Sequence, residues 1–291
     1  MLSTELQSKL DVLKEYIRGL GSLAVGYSGG VDSTFLVSVA SEVLGDRCIA
    51  VICADAAIPA REVESAVGFC EARGIICVLS HFDPLGIEEF RLNVPDRCYY
   101  CKRGVFQEIK RVASEYGITY VAEGSDMDDL GDYRPGLRAV SELGVVSPLR
   151  EAGLTKADIR AISREMGLPT WNKPSYACMA TRVAYGEEIT VEKIRMIEQA
   201  EQFLIDNGFT GVRVRVHGNG SIARIEVAAS DIARLASDGV REAVAERFRE
   251  IGFTYVAVDM CGYKMGSMNE LLEPSAASVL EARDSLQSPE E

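Results

Sequence analysis

Leu6, Leu10, Leu13, Ile17 and Leu20 recur at three- and four-residue spacing, so the chain is predicted to open with an amphipathic helix. Short apolar runs then alternate with helical patterns. Residues 23–27, 48–53, 75–80 and 119–122 read as strands, and 34–44, 60–73 and 102–116 as helices between them. Thr155-Lys156-Ala157-Asp158 resembles a capping box, opening a helix that ends near Gly167-Leu168-Pro169. Strands alternating with helices predict a parallel sheet covered on both faces.

The pattern changes after residue 188. A long helix over 190–207 precedes two strands, 212–217 and 222–227, joined by Gly218-Asn219-Gly220. Two helical stretches, 231–236 and 240–251, lead to a last strand at 254–259. The expected fold class is α/β: a parallel-sheet domain over 1–188, a smaller α+β domain over 189–273, and a polar tail, 274–291, expected to fray.

Composition adjusts this picture in three places. The length of 291 residues suits two domains. Met1-Leu2-Ser3-Thr4-Glu5 has no basic or apolar region of a secretory signal, and no run nears the roughly 18 apolar residues of a membrane span. The expected location is cytoplasmic, with no membrane partner. A formal net charge of −13 argues against a broad nucleic-acid footprint, which rests on Lys and Arg. Eight cysteines in a reducing compartment point to thiol, metal or catalytic roles and away from disulfides. Cys48, Cys53, Cys70 and Cys77 sit among apolar residues and are expected to pack as small hydrophobes.

The first candidate for chemistry is SGGVDS, residues 28–33, directly after the first apolar run. A glycine-rich turn from a strand into a helix aims backbone N–H groups at an anion, aided by the helix dipole. It is neither the Walker pattern nor the G-x-G-x-x-G fingerprint. Ser28, Gly29, Gly30, Asp32 and Ser33 match the SGGxDS signature of the PP-loop (adenine nucleotide alpha hydrolase-like) ATP pyrophosphatases, which the chain resembles. The resemblance implies that the loop grips the pyrophosphate end of ATP while the α-phosphate is attacked. Asp32 would then approach the phosphates through Mg²⁺, because a bare carboxylate is repelled.

Four further segments narrow the resemblance: EGSDMDDLGDYRPG (123–136), KPSYACMATR (173–182), VRVRVHG (212–218) and GYKMGSMNE near the end. In this order they are similar to the LarE family of ATP-dependent sulfur transferases. That likeness implies adenylation of a carboxylate on a pyridinium dicarboxylate mononucleotide, followed by its conversion to a thiocarboxylate for a nickel-pincer nucleotide cofactor. Cys178 stands where the family's sulfur-handling cysteine stands, and a neighbouring Arg182 or Lys173 would favour its thiolate. Two departures are Ser125-Asp126 in place of Thr-Asn, which removes an amide from 126, and Thr181 in place of Ser.

Cys98-Tyr99-Tyr100-Cys101 is a C-x-x-C pair, which by itself reads as a redox disulfide, half a zinc site or two ligands of an iron–sulfur cluster. The only histidines are His81 and His217, so a tetrahedral zinc site lacks partners. The likeness to three-cysteine members implies that Cys98, Cys101 and Cys178 hold a 4Fe-4S cluster with one open iron. Sacrifice of the Cys178 sulfur is the alternative route.

In the second domain, a period of two puts Arg213, Arg215 and His217 on one side of a strand and Val212, Val214 and Val216 on the other. Arg224 and Glu226 alternate in the same way with Ala223, Ile225 and Val227. One face is expected to pack on helices. The other presents arginines that are either a solvated surface or, with Arg182, a site for the substrate phosphate. Glu226 and Asp259 either balance them or bind a metal.

The expected partners are a nicotinate-derived mononucleotide and sulfide or another sulfur donor, with ATP, Mg²⁺ and the cluster as cofactors. The likeness also implies a homo-oligomer. The rival readings are a PP-loop tRNA thiolase and a nucleotide-binding protein without turnover.

Overall fold

A computed structural model describes residues 2–55, 57–131, 135–174, 178–264 and 266–268. The tail expected at 274–291 lies outside the described residues. The chain divides into two compact units, Met1–Phe90 with Asp96–Cys178, and Arg91–Pro95 with Met179–Glu291. Among the described residues no helix is long and apolar enough to cross a membrane.

The first unit is α/β. Helix α1 (Thr4–Leu20) leads into β1 (Leu23–Gly26), α2 (Val31–Leu44), β2 (Cys48–Ala54), α3 (Ala60–Arg73) and β3 (Ile76–His81). A short α4 (Glu88–Arg91), α5 (Arg97–Glu115), β4 (Tyr120–Ala122), α6 (Pro135–Glu142), α7 (Pro148–Glu151) and α8 (Lys156–Glu165) complete it. The strands form one parallel sheet in the order β3-β2-β1-β4.

Alternation along the strands builds two cores. Leu23, Val25, Cys48, Ala50 and Ile52 face Leu13 and Ile17 of α1, Phe35 and Leu36 of α2, and Ile159 and Ile162 of α8. Ala24, Ile49, Val51 and Val121 face Phe106, Ile109 and Val112 of α5 and Val140 of α6. Strands buried on both faces lose the polar alternation of a half-exposed sheet and read as continuous apolar runs. The chain steps outward from β1 to β3 and then returns to place β4 on the other side of β1. The carboxyl ends of β1 and β4 therefore flank a topological switch point, where open α/β sheets bind ligands.

Several boundaries differ from the sequence reading. α2 begins at Val31, so Asp32 and Ser33 lie in its first turn and are not loop residues. α5 begins at Arg97, which places Cys98 and Cys101 one turn apart on a helix and not ahead of it. Tertiary packing extends both helices into stretches whose polar composition reads as loop. The capping box is as expected: the Thr155 hydroxyl accepts from the Asp158 N–H, and the Asp158 carboxylate accepts from the Thr155 N–H at 3.1 Å.

The second unit carries α9 (Val191–Asp206), β5 (Arg213–His217), β6 (Ile222–Glu226), α10 (Ile232–Leu235), α11 (Val240–Ile251) and β7 (Tyr255–Val258). β5 and β6 pair antiparallel across the Gly-Asn-Gly turn, where Asn219 takes φ 56°; β7 joins β6 in parallel. Val214, Val216, Ala223 and Ile225 are fully buried, as are Ile197, Ala200 and Leu204 of α9 and Phe248 of α11.

Candidate active site

The loop after β1 is held open by its own serines. The Ser28 N–H donates to the Ser33 Oγ at 3.3 Å, the two hydroxyls lie 3.1 Å apart, and Ser33 donates to the Gly30 carbonyl at 3.4 Å. Gly29 adopts φ 69°, and a Cβ there would meet Ala66 Cβ at 3.2 Å, so position 29 needs glycine twice over. Gly30 is the N-cap of α2 and supplies no side chain to cap it. The helix's first N–H groups therefore remain available to an anion.

The carboxyl end of β4 closes on the same place. A Cβ on Gly124 would stand 3.2 Å from the Ser33 nitrogen and 3.3 Å from Asp32 Cβ, so only glycine permits this approach. Lys156, the first residue of α8, ion-pairs with Asp32 and lies 2.9 Å from the fully buried Asp126. Asp126 Oδ1 accepts from the Asp128 N–H at 2.9 Å, and the Asp129 carboxylate accepts from the Asp126 N–H at 3.1 Å. Burial raises the Asp32 pKa, opposed by Lys156 and reinforced by Asp126 and Asp129. Asp32 Oδ1 is buried with no hydrogen-bond partner, an orphan acceptor beside the anion loop. Lys156 was not legible as a site residue. Its only sequence signal is its place directly after the Thr155 cap.

Lys173 also reaches the loop. Its Nζ donates to the Gly29 carbonyl at 3.0 Å and to Glu62 Oε2, on the first turn of α3, at 2.6 Å. The sequence reading pairs Lys173 with the Cys178 thiolate; the structure gives its ammonium to the loop and to Glu62. A cavity of about 580 Å³ opens beside this contact, lined by Tyr27, Gly29, Ala66, Phe69, Thr170 and Lys173 among others.

Cys98 and Cys178 are exposed, Cys101 is half-buried, and none is in a disulfide. Burial raises the Cys101 thiol, and the nearby Cys178, Asp55 and Cys98 raise it further, so the three thiols share one neighbourhood. Asp55, at the carboxyl end of β2, is itself pushed up to about 6 by burial. Among the described residues no three His, Cys, Asp or Glu side chains close to metal-binding distance. Residues 175–177 of the KPSYACMATR segment lie outside the described residues, as do 132–134 of the earlier one and 265, 269 and 270 of the last. Of the four cysteines expected in the core, Cys48, Cys53 and Cys70 are buried and Cys77 is half-buried.

The arginine face of the second unit is neither open nor solvated. Arg213 and Arg215 are 7% and 5% exposed, and Arg182 is fully buried. Arg215 pairs with the fully buried Glu226 at 2.8 Å and donates to the Thr181 carbonyl and the Ser267 hydroxyl, both at 3.2 Å. Arg224 pairs with Glu226 at 3.2 Å and with Asp259. Arg182 makes a two-pronged pair with Glu201 of α9 at 2.9 and 3.1 Å. Arg213 donates to the Val212 carbonyl at 2.8 Å and lies over the Tyr263 ring at 5.0 Å. Burial lowers its pKa, and Arg182 adds to the effect. Glu226 and Asp259 thus balance arginines; the alternative of a metal has no support in these contacts.

An SGGxDS loop at the switch point of a parallel sheet, with an uncapped helix behind it, defines an ATP-using enzyme of the PP-loop class. No protein-family model matches the chain. Over 267 residues it is 37% identical to an uncharacterized protein of Synechocystis sp., spanning 92% of this chain and 99% of that one. It is 34% identical over 268 residues to the pyridinium-3,5-bisthiocarboxylic acid mononucleotide synthase of Lactiplantibacillus plantarum, spanning 92% and 96%. A glutamine-hydrolyzing GMP synthase polypeptide of Archaeoglobus fulgidus is 24% identical over 221 residues, spanning 68% and 69%. The chain belongs to the LarE family of ATP-dependent sulfurtransferases.

Proposed function

We propose that the chain adenylates a carboxylate of a pyridinium-3,5-dicarboxylate mononucleotide and converts it to a thiocarboxylate for a nickel-pincer nucleotide cofactor. The reading is supported by the relative named as the bisthiocarboxylic acid mononucleotide synthase. The observation that carries it is one unit holding both the anion loop and the cysteines around Cys101.

The chemistry follows from the groups. A substrate carboxylate oxygen attacks the α-phosphorus of ATP, the bond to the bridging oxygen breaks, and pyrophosphate leaves. Ser28, Gly29, Gly30 and Ser33, with the first turn of α2, hold the departing charge through N–H and hydroxyl groups that need no reorganisation. Asp32 fits a Mg²⁺ site, because its buried Oδ1 lacks a partner and its other oxygen is held only by Lys156. Mg²⁺ there would neutralise the phosphates. A sulfur nucleophile then bonds to the acyl carbon while the bond to AMP breaks. Arg213, Arg215 and Arg182 are the candidates for the substrate phosphate.

Cys98, Cys101 and Cys178 fit a 4Fe-4S cluster by donor type and by their shared neighbourhood. Such a cluster supplies a place for hydrosulfide, so that the three cysteine sulfurs are retained through turnover. The test measures pyrophosphate release from ATP with the mononucleotide and with bulk tRNA, after anaerobic reconstitution with iron and sulfide. Release with the mononucleotide alone, more than one product per chain and an unchanged protein mass are expected. Release with tRNA alone would replace the substrate assignment. A single turnover that leaves Cys178 about 34 Da lighter, as loss of H₂S requires, would replace the cluster with a sacrificed cysteine.

A further inference from the structure

Lys173 stands at the junction of three segments. Arg160 of α8 fixes its backbone, donating to the Trp171 carbonyl at 3.2 Å and the Lys173 carbonyl at 3.0 Å, while Arg164 lies over the Trp171 ring at 5.1 Å. From that anchored turn the ammonium reaches both Gly29 of the anion loop and Glu62 of α3. The Lys173 and Glu62 side chains are only 23% and 16% exposed, so the contact is shielded from screening water. Cys178 follows five residues later in the chain.

The phosphate chemistry has its own donors in the loop and its own cation partner in Lys156. Lys173 binds a carbonyl and a carboxylate, which ties segments together. We propose that Lys173, clamped between Gly29 and Glu62, is a positioning residue that registers the Cys178-bearing segment against the anion loop. An acyl adenylate made at the loop then meets the sulfur chemistry before water reaches it. The proposal rests on the sulfur-transfer reading but concerns the coupling of its two steps. A clamp predicts that Lys173 and Glu62 act as one unit: removing either releases the same segment.

The test uses the full chain and the variants Lys173→Met, Glu62→Gln and Lys173→Arg. Pyrophosphate and thiocarboxylate are measured in the same reactions. In parallel, alkylation of Cys178 by iodoacetamide is followed by peptide mass spectrometry, with and without a non-hydrolysable ATP analogue. Lys173→Met and Glu62→Gln are expected to keep the ATP KM and pyrophosphate rate within about three-fold, while product per pyrophosphate falls about ten-fold or more. Both should shift Cys178 alkylation about three-fold or more and by the same factor, and Lys173→Arg should restore coupling. Pyrophosphate and product falling together with a raised ATP KM would make Lys173 a phosphate ligand and overturn the clamp. Unchanged coupling and unchanged alkylation would overturn it too. If the wild type released no pyrophosphate with the mononucleotide, the function would fail, and the alkylation measurements would still decide the clamp.

Discussion

The anion loop of the first unit and the arginine hairpin of the second both concentrate positive potential, by opposite means. The loop uses backbone N–H groups fixed by two serines and two glycines, with its helix end left uncapped. The hairpin uses guanidinium groups, and folding has already given most of them carboxylates: Glu226 for Arg215 and Arg224, Glu201 for Arg182. Dipoles of a backbone turn can be left without a partner near water at small cost. A buried guanidinium cannot, because desolvating an unpaired charge costs several kcal/mol. The first site is therefore ready for an anion, whereas the second is a balanced network in which any phosphate has to compete with carboxylates.

The sharpest way to break this contrast is Glu226→Ala. It leaves Arg215 and Arg224 without their shared buried partner, and loss of about 3–5 kcal/mol is expected in denaturant unfolding of the second unit. A loss below about 1 kcal/mol would mean that the arginines are not held by that carboxylate. Next comes Asp32→Ala, expected to slow pyrophosphate release by about 100- to 1,000-fold with the unfolding midpoint nearly unmoved. Normal release by the folded variant would remove Asp32 from the site.

Arg213→Ala addresses whether the balanced network still serves substrate. An increase in mononucleotide KM of about 10- to 150-fold, with the ATP KM unchanged, is the expected result. Equal rises in both would assign Arg213 to folding alone.

The smallest effect is a pH dependence. Burial, then the positive Arg224, lowers the His217 pKa below its ordinary 6.5, and Arg224 Nε donates to its Nε2 at 3.2 Å. The stability that depends on neutral His217 is fully present above pH 6.5 and is lost as the pH falls through the lower folded value. Wild type should lose more thermal stability than His217→Gln between pH about 7.5 and 5.5, by a few degrees at most. Identical pH profiles would show that His217 does not titrate with folding.

Much of the first unit was legible because its signals are local. The periodicity of Leu10, Leu13 and Ile17, the apolar runs of the strands and the Thr155 cap each depend on neighbours within a turn or a pairing distance along the chain. SGGVDS carried its meaning for the same reason: a loop built from backbone needs only glycines in sequence and a strand before it. The helix starts at Val31 and Arg97 were missed, since what holds those first turns is packing against distant segments such as the Gly124 loop.

The arginine alternation on β5 was read correctly as a face, and its surroundings were not. Periodicity tells which residues share a side; it carries no information about what covers that side. Glu201 comes from a helix, Ser267 from beyond the last strand, and Lys156 and Lys173 from segments more than a hundred residues after the loop they touch. By itself the sequence determined the α/β alternation, the anion loop and the candidate cysteines, because short-range backbone geometry and burial period encode them. Only the tertiary structure decided which carboxylate neutralises which cation, because ion pairing depends on distances that the chain closes last and on burial that sets their strength.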